Sequence, residues 1–172
     1  MKRLLAWIGC LVLLVCTIAA KVKEPKLVIE VNTAVGNDIA FIKDHVYLRV
    51  FDNGRLEYWD KRDEKSDFIR HESQLSPSQL KSVTDFLDGS EVKELSGMYP
   101  AYPPQINFGV MIGMAINRGE KTQEVGTHFY KLPLGGVRGN KSPQALVNLI
   151  CHVENLREDA RHWVAPEGYC SK

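Results

Sequence analysis

The chain has 172 residues, with 22 Lys+Arg against 21 Asp+Glu and a formal net charge of +1. That balance excludes a polycationic nucleic-acid binder and an acidic tail protein. With 44% hydrophobic and 25% charged residues, collagen-like, low-complexity and wholly disordered readings fall away, and the length predicts a single domain.

Lys2 and Arg3 precede an uncharged apolar run from Leu4 to Ile18, followed by Ala19, Ala20 and the polar stretch Lys21 to Lys26. A short positive start, an apolar run and a small-residue exit form the layout of a signal peptide over residues 1–20, with 21–26 as a linker. Its removal takes away two positive charges and no negative ones, leaving a net charge of −1. The expected location is therefore periplasmic or secreted. An uncleaved anchor through residues 4–20 is the alternative, because the run approaches the lower length limit for spanning a bilayer. Lipidation at Cys16 is disfavoured by Val15 before it.

Leu27, Ile29 and Val31 alternate with Val28, Glu30 and Asn32, which predicts a short strand. Residues 34–45 show no clear period, and Gly36-Asn37-Asp38 reads as a turn. Val46, Leu48 and Val50 then alternate up to Asp52-Asn53-Gly54, and Leu56 and Tyr58 alternate after it. Asn-Gly supplies the positive φ values of a tight primed hairpin turn. Tyr47, Arg49, Phe51, Glu57 and Trp59 are expected on the other, wetter face. A further strand is expected around Phe68 to Glu72.

Ser76 as N-cap, Pro77 at the first helical position and Gln79 three residues after the cap predict a capping box, with Leu75 stapled to Leu80. Leu80, Val83 and Leu87 make the buried stripe, and Gly89 is the expected stop. A loop follows with Met98-Tyr99-Pro100-Ala101-Tyr102-Pro103-Pro104. Phe108, Val110, Ile112, Met114 and Ile116 then share one strand face, with mostly small Gly109, Met111, Gly113 and Ala115 on the other. That contrast predicts a central strand with something packing closely over its small side. Residues 122–130 return as its partner. Ser142-Pro143 repeats the helix start, and Leu146, Leu149, Ile150, Val153 and Leu156 keep a helical stripe. The domain is expected over 27–160 and a tail over 161–172. Strands, helix, hairpin and helix in this order predict an α+β fold, a mainly antiparallel sheet with two helices packed on one face.

The stretch Val46 to Leu87 resembles a class of exported bacterial domains of unknown function. The resemblance rests on Tyr47-Leu48-Arg49-Val50-Phe51, the Asn53-Gly54 turn, Leu56-Glu57-Tyr58 and Leu75-Ser76-Pro77-Ser78-Gln79-Leu80, and covers 42 of the 172 residues. It implies the local strand, turn, strand and helix, and brings no activity or functional residues with it.

Chemistry is harder to read. The five histidines form no metal-ligand spacing, and no cofactor is called for. There is no Gly-x-Ser-x-Gly elbow; His71-Glu72 and His128 are the candidates for a histidine–carboxylate pair. Residues 135–141, Gly-Gly-Val-Arg-Gly-Asn-Lys, precede a helix but lack a P-loop ending, and read as a flexible loop. Asn140-Lys141-Ser142 is a formal glycosylation sequon weakened by Pro143. Tyr99 and Tyr102 in their Pro-stiffened loop are the expected partner-binding residues; a rigid surface loop covering the core edge is the alternative. Once residues 1–20 are removed, Cys151 and Cys170 remain. At about 100° per residue Cys151 falls almost opposite the apolar stripe, which predicts a disulfide to Cys170 in an oxidising compartment. The favoured function is a non-enzymatic binding domain for a protein or small ligand, with no nucleic acid and with membrane contact only through an uncleaved N-terminal segment. A small hydrolase using a histidine and a carboxylate, and a protease inhibitor presenting the Pro-Tyr loop, are the other readings.

Overall fold

The computed structural model describes residues 24–37, 40–60, 67–99, 109–130, 142–157 and 170. The expected signal peptide, Tyr102, the glycine-rich loop with Asn140 and Lys141 of its sequon, and the tail apart from Cys170 lie outside these residues. Seven strands form one sheet: β1 (Leu27–Asn37), β2 (Ala40–Phe51), β3 (Arg55–Asp60), β4 (Ile69–Gln74), β5 (Gly97–Tyr99), β6 (Gly109–Asn117) and β7 (Thr122–Tyr130). Their order across the sheet is β4-β3-β2-β1-β6-β7-β5. Every pairing is antiparallel except β5 with β7, so the sheet is mixed. Helices α1 (Pro77–Asp88), α2 (Ser90–Lys93) and α3 (Gln144–Glu154) complete an α+β fold.

The helices cover one face. Register puts Ile29 and Val31 of β1 beside Val50 and Leu48 of β2 and beside Ile116 and Met114 of β6, and all six are buried. Against them pack Val83 and Leu87 of α1, Val92 of α2, and Leu146, Leu149, Ile150 and Val153 of α3. Burying these side chains drives the two layers together, at about 1.5–3 kcal/mol each. We call this the helix face and the other the open face.

The capping box of α1 is present: Gln79 N–H donates to Ser76 Oγ (3.2 Å) and Ser76 N–H to Gln79 Oε1 (2.9 Å). Other expectations are corrected. Residues 34–45 are mostly strand, with Asn37 paired to Ala40; register shifts between Val31 and Asn32 and between Thr33 and Val35 destroy the simple alternation there. At the first shift Val31 pairs with Leu48 and Asn32 with Val46, so Tyr47 is an extra residue in β2. A bulge of this kind lets neighbouring side chains share a face, and Tyr47 is buried along with Leu48 instead of facing solvent. The hairpin turn has three residues, 52–54, closed by Gly54 at φ 83° with its N–H on the Phe51 carbonyl (2.9 Å). It is not the two-residue primed turn. Gly89 does end α1, but in an extended conformation (φ −57°, ψ 142°) that leads straight into α2. The N-cap of α3 is Pro143, with no side-chain bond, and the Ser142 hydroxyl is bonded instead to Thr127 Oγ1 (2.7 Å).

Two contacts fasten the end of α3. Cys151 and Cys170 form a disulfide, with Cα atoms 5.2 Å apart. Arg157, 6% exposed, lies 4.8 Å from the ring centroids of both Tyr47 and Tyr58. A guanidinium between two aromatic faces gains cation–π attraction that offsets its desolvation.

Candidate functional site: a groove on the open sheet face

Register lays out the open face in rows. One row runs Asn32 (β1), Gly113 (β6), Gly126 (β7), Met98 (β5). The next runs Glu72 (β4), Glu57 (β3), Arg49 (β2), Glu30 (β1), Ala115 (β6), Glu124 (β7). Neighbouring strands lie about 4.8 Å apart, so each row is a line of side chains in lateral contact. Where the rows cross β6 and β7 the side chains shrink to Gly113, Ala115 and Gly126. A groove of about 270 Å³ opens over them, flanked by Asn32, Met98 and Glu124.

The two glycines serve different ends. A Cβ on Gly126 would lie 2.5 Å from the Ile112 carbonyl oxygen and 2.8 Å from Met98 Cε, so the packing of Met98 and the backbone requires glycine there. A Cβ on Gly113 would meet nothing within 4 Å. Its φ is not in the left-handed region either, since the positive-φ glycines are Gly54, Gly97 and Gly119. Glycine inside a strand weakens it and marks places where a ligand or another backbone comes close. Gly113 thus has no intramolecular reason, among the described residues, to lack a side chain.

One wall is a bonded polar network, and the other joins a carboxylate to an apolar side chain. Asn32 Nδ2 donates to Glu30 Oε1 (3.0 Å), and Glu30 Oε2 accepts from Arg49 Nε (2.6 Å). Burial alone would raise the Glu30 pKa, but these hydrogen bonds and the Arg49 charge outweigh it and hold the carboxyl below its ordinary value. Arg49 also lies 5.3 Å over the Trp59 ring. Further along, Glu57 is 4% exposed and accepts from Arg70 Nη2 (2.5 Å), with Arg55 Nε at 3.4 Å. This half of the open face is a neutralised charge ladder. Across the groove Glu124 is exposed and makes no hydrogen bond or ion pair among the described residues, and Met98 is 45% exposed.

Of the residues expected from sequence, those that are described fall elsewhere. Tyr99 belongs to β5, an edge strand absent from the sequence reading, and not to a free loop. It pairs with Thr127 on the helix face, is half-buried, and packs against the core. Its hydroxyl accepts from Ser96 N–H (3.3 Å), and Thr127 Oγ1 donates to its carbonyl (3.1 Å). His71 pairs with Tyr58 on the helix face of β4 and stacks on that ring at 5.0 Å, whereas Glu72 points to the open face. His128 pairs with Met111 on β7, with four strands between β4 and β7. The fold therefore does not bring His71 and His128 together. His45 bonds Thr33 Oγ1 through Nε2 (2.9 Å) and stacks on Phe68. No group of three or more His, Cys, Asp or Glu side chains able to hold a metal occurs among the described residues.

Sequence reasoning saw the small face of β6 but not the groove. Gly126 reaches it through its pairing to β6 and Met98 through its pairing to β7, and neither leaves a local signal. Compared with known proteins, the chain matches no protein family and no characterised protein.

Proposed function

We propose that the protein is a non-enzymatic binding module working outside the cytoplasm, and that its partner is a protein segment seated in the groove over Gly113. The observation that carries this reading is the open space above Gly113, a central-strand glycine that no packing among the described residues demands. The volume of about 270 Å³ lies just below the usual range for small-molecule pockets. It suits one side chain or a short length of backbone instead of a bulky cofactor. Met98 offers a polarisable, adaptable wall of the kind common on binding surfaces. Export is supported by the N-terminal pattern of Lys2, Arg3 and the run to Ile18, and the Cys151–Cys170 bond accords with an oxidising compartment. The test places a benzophenone amino acid at Met98 in the protein made by its natural host and illuminates the cells. The expected result is a discrete protein adduct that disappears when G113V fills the groove. Adducts of equal yield with and without G113V would overturn the reading.

A further inference from the structure

The outer strand β4 has the features of a pairing edge. It holds six consecutive register pairs to β3, from Arg55 with Gln74 to Asp60 with Ile69, without a bulge. It contains no proline, glycine or lysine, and all its residues but Ser73 are exposed. Proteins normally blunt such edges with short strands, bulges, prolines or lysines. The opposite edge is blunted in this way, because β5 has only three residues.

We propose that β4 pairs antiparallel with β4 of a second copy about a two-fold axis through His71, joining two sheets into one continuous sheet. Side chains facing each other across antiparallel strands must share a face, so the axis has to pass through a residue and not between two. Centring on Glu72 would set two like carboxylates opposite each other. Centring on His71 sets Arg70 opposite the second copy's Glu72 and Glu72 opposite the second copy's Arg70, two complementary pairs on the open face. Ile69 then covers the second copy's Ser73 on the helix face. Arg70 has donors to spare for this. Both its bonds, to Glu57 Oε1 and to Glu72 Oε2, come from Nη2, which leaves Nε and Nη1 without partners among the described residues. A guanidinium presents five N–H donors in a fixed fork, so a further carboxylate fits without breaking the Glu57 contact. The interface is an edge and not a face, so the dimer is a weak one.

The experiment is sedimentation equilibrium of the intact protein from about 10 μM to 1 mM, the range of weak interfaces. The wild type should approach twice the monomer mass. E72R, which sets arginines opposite each other at two places, should weaken association at least about tenfold, and H71K, which sets two lysines on the axis, about fivefold. K81E, at an exposed position of α1, should not. Circular dichroism checks that each variant is folded, and H71K decides the matter if E72R is not. A wild type that stays monomeric, as it would if the edge took an extended peptide instead, overturns the proposal. So does association by a folded H71K as tight as the wild type's.

Discussion

Phe86 of α1 and His152 of α3 stack ring on ring, with centroids 4.6 Å apart and planes 6° from parallel. This contact joins the two longer helices, and it places the buried His152 Nε2 where no described residue gives it a hydrogen bond. Burial of the imidazole lowers its pKa below the ordinary 6.5. The unfolded chain therefore binds the proton more readily than the folded one. Stability is full above pH 6.5, declines as pH falls through that value, and levels off below the folded-state pKa. H152F keeps the stack and removes the titration. Thermal midpoints measured across this window should fall with pH in the wild type and stay flatter in H152F; parallel profiles would refute the assignment. Glu30 acts in a separate, more acidic window. Its carboxylate contributes stability above 4.5 that is lost as pH falls through its lower folded-state value.

G126A and G113A should behave oppositely. The new methyl at position 126 meets the Ile112 carbonyl oxygen at 2.5 Å, and overpacking of this kind costs about 1–3 kcal/mol. At position 113 it enters open space, and reduced freedom of the unfolded chain should leave stability unchanged or raised by about 0.5 kcal/mol. Urea denaturation of the two variants beside the wild type measures both.

Reducing Cys151–Cys170 frees a 19-residue span. In the chain-entropy account closing a loop of this size is worth about 3 kcal/mol, which in a domain of this size is a fall in melting temperature on the order of 10 °C. Calorimetry with and without a phosphine reductant measures it, and an unchanged midpoint would show that the closure contributes nothing.

Y99A should destabilise the fold by about 1–3 kcal/mol, because the ring packs half-buried against the core. A thermal midpoint within two or three degrees of the wild type would return Tyr99 to the status of a surface residue. The ring would then be free for partner contact, as its sequence context first indicates.

The α+β class was legible in the sequence wherever period and punctuation agreed. Ser76-Pro77-x-Gln79 marked α1, Asn53-Gly54 marked a hairpin, and the angular position of Cys151 indicated its disulfide. Legibility failed where the determining partner is remote. Tyr47 is buried because of an extra residue in β2, which reverses the alternation without any local sign. β5 exists because three residues pair with β7 across a parallel ladder, and no short-range pattern announces a three-residue strand. The groove combines both difficulties. Gly113 was visible as part of a small face, but its neighbours Asn32, Gly126 and Met98 come from three other strands.

The strand nearest the amino terminus, β1, lies in the interior of the sheet between β2 and β6. Its first neighbour follows at once, but the second joins Ile29 to Ile116, and Asn117 Nδ2 reaches back to the Leu27 carbonyl (2.8 Å). A chain emerging from its amino terminus therefore holds β1 to β4 as a meander whose β1 margin carries unpaired N–H and C=O groups until β6 arrives. Contacts so far apart in sequence make for slow folding. Fragments that stop before Gly109 should collect as aggregates through that margin and not persist as a stable half-domain.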